Sequence, residues 1–114
     1  MDYAKTRDRA TKQITKFGRE LPLTRGGTKQ VVGGKEVTTP LEKHTVIGVV
    51  TSYKPSEIDG SRILTGDVKL AATAETEIRV GDSLMIDGKK YRVVLPGPVK
   101  PADILISYIA QLRA

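Results

Sequence analysis

The chain contains no cysteine and no tryptophan, and its 114 residues include a single phenylalanine and a single histidine. The absence of cysteine excludes disulfide staples and thiolate metal sites, and it fits a protein that matures in a reducing compartment. Four tyrosines complete the aromatic set, so a core must be built from Val, Ile and Leu, the residues that favour strands. Long apolar runs are also missing. No stretch approaches the length of a membrane span, and the polar start MDYAKTRDRATKQ lacks the apolar run of a secretory signal. The expectation is a protein made in the cytoplasm that does not contact the membrane. At this length there is room for one domain and one core.

The net charge of +6 is unevenly placed. Residues 1–29 hold eight basic side chains against three acids, a surplus of five, whereas residues 30–114 hold eleven against ten. The positive field therefore belongs to the leading segment.

Turn chemistry divides most of the remaining chain. In Gly81–Val94, GDSLMIDGKKYRVV, Asp87-Gly88 is a two-residue hairpin turn, and Leu84, Ile86, Tyr91 and Val93 alternate around it. Thr45–Thr51 is a β-branched run suited to a strand buried on both sides, with Gly48 marking a bulge or close approach. Arg62–Thr73 continues the strand pattern with a break at Gly66-Asp67. Pro22 makes Glu20–Arg25 an expected edge strand, and the prolines of LPGPVKP predict a connector that cannot join a ladder. The segment Asp103–Arg113 fits either a helix or a strand by spacing. Its Ile and Tyr content and the need to close a sheet edge favour a strand.

Residues 1–18 read as a basic amphipathic helix with Tyr3, Ala10, Ile14 and Phe17 on one face, and Gly18 as a left-handed stop. Gly26–Lys43, rich in Gly, Thr and charge, predicts a mobile hairpin or loop. The expected fold is mainly β: a small antiparallel β-barrel or sandwich over residues 19–114, with a mobile loop at about 26–43 and a leading α-helix.

Candidate chemistry is sparse. His44, beside Glu42, Lys43 and Thr45, reads as a surface residue at the start of a strand. Asp59, Asp67, Asp82 and Asp87 each adjoin a glycine in the manner of β-turns and lack the spacing of a calcium loop. The glycine pairs lack a P-loop pattern. The reading is a protein that is not an enzyme, with no catalytic, cofactor or metal site. Its contact candidates are the basic helix, with Lys5, Arg9, Lys12 and Lys16, and the Lys54–Gly60 loop, with Lys54, Glu57, Ile58 and Asp59. Ile58 is an apolar residue where a purely connecting loop has none.

Four motifs in order, ITKFGRELPLTR (Ile14–Arg25), SYKPSEIDGSRILTGDVKL (Ser52–Leu70), GDSLMIDGKKYRVV and PVKPADILISYIAQLR (Pro98–Arg113), carry a resemblance that spans most of the chain. The sequence resembles head-tail joining proteins of tailed bacteriophages and prophages, the head-completion or stopper-like family. That resemblance implies a β-barrel or sandwich assembled as a ring in the virion neck, retaining packaged DNA and docking the tail. It also implies portal or adaptor ring proteins, tail proteins and further copies of the chain as partners, and proximity to packaged DNA. Assembly would take place in the bacterial host cytoplasm. A nucleic-acid-binding barrel of OB or SH3-like type is the alternative, and it calls for positive charge on the barrel face.

Overall fold

The computed structural model describes residues 2–27 and 29–114, with the side chains of residues 29 and 30 outside that description. Thr28, within the segment expected to be a mobile hairpin or loop, lies outside the described residues. Among the described residues a helix α1 (Tyr3–Phe17) leads into nine strands: β1 (Arg19–Arg25), β2 (Lys29–Val32), β3 (Lys35–Thr38), β4 (Glu42–Ser52), β5 (Val68–Thr73), β6 (Ser83–Ile86), β7 (Lys89–Leu95), β8 (Pro98–Val99) and β9 (Ser107–Arg113). Strands β5, β4, β1, β6, β7 and β9 are neighbours in that order, and β5 also pairs with β9. The ring of ladders is therefore closed into a six-stranded antiparallel β-barrel, the expected mainly β architecture with a leading helix.

Strand alternation fills the barrel. Leu21 and Leu23, Val46, Leu70 and Ala72, Leu84 and Ile86, Val93, and Tyr108, Ala110 and Leu112 point inward from the six strands and form one buried cluster. Because aromatics are few, small aliphatic side chains do this work, and the close approaches at Gly48 and Gly18 depend on glycine. A Cβ at Gly48 would lie 2.7 Å from Leu70 Cδ1 and 2.9 Å from the Ala71 carbonyl oxygen. At Gly18 it would lie 2.5 Å from the Ile14 oxygen and 2.6 Å from the Gly48 oxygen. The end of α1 thus rests directly on the backbone of β4.

Several local expectations give way to this packing. Gly18 is extended, with φ −93° and ψ −173°, so contact with two carbonyl groups and not a left-handed turn demands glycine there. The start of α1 is capped instead by Asp2, whose carboxylate accepts the Ala4 and Lys5 amides at 3.1 and 3.2 Å. Tyr3, Ala10 and Ile14 are half-buried on the packed face, but Phe17 at the helix end is 67% exposed.

Strand β1 is interior. It pairs with β4 along its whole length and with β6 only at Leu23 and Thr24, so Pro22 falls just outside the second ladder and removes no bond from it. In β4, Val46 and Gly48 are buried while Glu42–Thr45 are exposed, so burial on both sides is confined to the middle of the strand, where α1 covers it. Arg62–Leu64 is irregular, and β5 begins only at Val68. Pro98 and Val99 do join a ladder, against Tyr108 and Ser107 of β9. The final element is a strand, as expected, although it starts at Ser107 after a tight turn at Pro101–Asp103, where Ala102 and Asp103 have φ of 50° and 63°.

Candidate functional site

Strands β2 and β3 form a two-stranded sheet of their own, outside the barrel ladder. Gly33 and Gly34, at φ 59° and 80°, supply the positive dihedrals of a hairpin turn whose twist matches its strands. At the base, the Gly27 amide donates to the Thr39 carbonyl at 3.0 Å. Every described side chain from residue 31 to 41 is exposed, including Val31 at 77%, Val32 at 61%, Val37 and Leu41. In the register, Val32 faces Lys35 and Val31 faces Glu36, so the valines are divided between the two faces of the hairpin.

A second surface is the helix. Lys5, Arg9, Lys12 and Lys16 are all exposed, and Arg9, Lys12, Gln13 and Lys16 line a shallow groove of about 240 Å³. The third is the segment after β4. Pro55–Glu57 is a one-turn 3₁₀ helix in which Glu57 accepts the Lys54 amide at 3.3 Å and lies 3.7 Å from Lys69 Nζ. Asp59 Oδ1 accepts the amides of Ser61, Arg62 and Ile63 at 2.8 to 3.0 Å. These bonds, with that to Ile63 first, hold its carboxyl below the usual range. Ile58 is half-buried. Of the four loop candidates, Lys54 is exposed, while Asp59 and Glu57 organise the loop itself.

Sequence reasoning treated Asp67 and Asp82 as turn residues, but both are buried ion-pair partners. Asp67 receives Arg113 Nε at 3.0 Å and Nη2 at 3.0 Å, Gln111 Nε2 at 2.9 Å and the Leu64 amide at 2.9 Å. The Arg113 guanidinium is the main reason that its carboxyl falls to about 2. Gln111 and Arg113 also donate to the Arg62 carbonyl, so the Arg62–Asp67 loop is clamped onto the outer face of β9. At another seam, Asp82 receives Arg25 Nε and Nη2, both at 2.8 Å, and the Arg79 amide at 2.8 Å. The bond from the amide three residues before each aspartate is the local part of the arrangement. The arginine partners, 46 and 57 residues away, leave no sequence mark.

His44 is an exposed residue near the start of β4, as expected, and titratable groups of other segments converge around it. An open cleft of about 400 Å³ is lined by Arg25, Glu42, His44, Glu75, Thr76, Glu77 and Arg79. Within it the charges pair with one another. Arg79 forks onto Glu77 at 2.7 and 3.2 Å, and Glu42 lies 3.6 Å from His44 Nε2 and 3.7 Å from Arg25. The Thr76 hydroxyl donates to the Thr45 carbonyl at 2.7 Å. This arrangement ties residues 75–79 to β1 and β4. Among the described residues, no group of three or more His, Cys, Asp or Glu is placed to hold a metal ion, and no helix is long and apolar enough to cross a membrane.

No protein-family model and no curated protein matches this chain.

Proposed function

We propose that this chain is a structural component of the neck of a tailed phage or prophage particle, assembling with its own copies and with portal or tail proteins into a ring that completes the head. The role is one of contact and not of catalysis. The ordered motifs that resemble head-tail joining proteins support this reading. One observation carries it: a hairpin bearing exposed valines forms a two-stranded sheet of its own beside the closed barrel, with no third strand along it among the described residues. An isolated two-stranded hairpin gains little stability by itself, and exposed apolar side chains with free strand edges are the equipment of β-augmentation or packing against a partner. The Lys54–Gly60 loop, rigidified by Asp59, is the second contact element.

The test replaces residues 29–38 with a short Gly-Ser linker in a phage carrying this gene. Since the hairpin is absent from the barrel ladder, the purified variant is expected to melt like the parent. DNA-filled heads that stay tailless and leak are the expected phenotype; infectious particles of normal yield would overturn the proposal.

A further inference from the structure

Helix α1 packs against β4, β5 and β9 through one face and presents Lys5, Arg9, Lys12 and Lys16 on the opposite one. At 3.6 residues per turn the four fall within an arc of about 60°. Among the described residues none of the four has an ion-pair partner; the nearby Asp8 is taken by Arg7 at 3.5 Å, and Lys16 reaches only the Phe17 ring, at 5.4 Å.

Folding does not account for this pattern. Cations spaced by four, three and four residues repel along a helix, and Lys5 sits in the first turn, where the macrodipole disfavours positive charge. A merely solvated face would gain stability from interleaved acids. The stripe also lacks what a protein interface uses, since its only interruption in the groove is Gln13 and lysine is depleted from the cores of such interfaces.

We propose that this outer stripe of α1 binds the phosphate backbone of duplex DNA, without regard to sequence. From Lys5 to Lys16 the helix rises about 16 Å, at 1.5 Å per residue, a length over which the four cations, on their long stems, can each meet a phosphate. Lysine and arginine tips on flexible stems follow phosphates as point charges, and no aromatic platform is needed for a stacked duplex. The alternative expectation of a DNA-binding barrel face is replaced here by the helix, where the surplus charge resides. This inference stands apart from the ring reading: it is tested in solution, and that reading in particles.

The experiment titrates the full chain into a fluorescein-labelled mixed-sequence duplex of about 25 base pairs, by anisotropy, between about 50 and 200 mM salt. With four phosphates neutralised, log K is expected to fall against log salt with a slope of about −3.6, a loss on the order of 100-fold over that range. The variant combining Arg9→Gln, Lys12→Gln and Lys16→Gln, with its helical circular dichroism unchanged, is expected to flatten the slope by about 2.7, whereas Lys12→Arg keeps it. Lys89→Gln with Lys90→Gln, at the exposed β6–β7 turn, is the control and is expected to leave the slope in place. An unchanged slope in the triple variant, or an equal loss in the control, would overturn the proposal. So would displacement of the duplex by polyglutamate at equal charge concentration, which points to an acidic protein surface.

Discussion

Asp67 is the residue on which acid stability turns. Its folded carboxyl titrates at about 2 against an ordinary value of 3.8, chiefly through Arg113. A depressed carboxyl stabilises the fold fully above the unfolded value and loses that contribution as pH falls through the folded one. The difference amounts to about 2 kcal/mol. Urea melts from pH 5 to 2 are expected to show this decline, and Asp67→Asn is expected to lose about 2 kcal/mol at neutral pH and to flatten the profile below pH 4. A variant with the parent's acid profile would remove Asp67 from this role. Gly48 is the second sensitive residue. Its would-be Cβ meets Leu70 and the Ala71 backbone at 2.7 and 2.9 Å, so Gly48→Ala is expected to destabilise by about 1–3 kcal/mol in chemical denaturation.

At the scale of elements, the β2–β3 hairpin and the barrel differ in what supports them. Amides of residues 29–38 are expected to exchange with solvent orders of magnitude faster than those of β4, β5 and β9, because they share no buried core. Equal protection measured by mass spectrometry would contradict that. Local signals served hairpins well. Asp87, at φ 53°, and Gly88, at φ 78°, occupy the turn that their dipeptide indicates, and Leu84, Ile86 and Val93 are buried as their alternation requires. The same reasoning misplaced β1, because a proline identifies a backbone position with no amide to donate but not which neighbour lies across from it. It also overextended the first half of β5, where Ile63 and Leu64 are half-buried under a clamp set by Gln111 and Arg113.

For the whole molecule, closure of the barrel is the decisive contact. Strand β9 lies between β5 and β7 and carries Tyr108, Ala110 and Leu112 into the core. Deleting residues 104–114 is expected to abolish cooperative thermal unfolding, since it removes the ladders of β9 with β5, β7 and β8 and uncovers the core together. A sharp melt in the truncated chain would mean that the remaining strands suffice.

By itself the sequence determined the local matters: where the chain turns, which residues alternate, that the core is aliphatic, and that positive charge gathers on the leading helix. These follow from dihedral preference, side-chain period and composition, all of which act over a few residues. Only the tertiary structure decided that β1 is interior, that Gly18 yields to a neighbouring carbonyl, that charges gather around His44, and that Asp67 and Asp82 meet distant arginines. Those outcomes depend on which surfaces the closing barrel brings together, and contacts between residues some 50 positions apart leave no trace in local pattern.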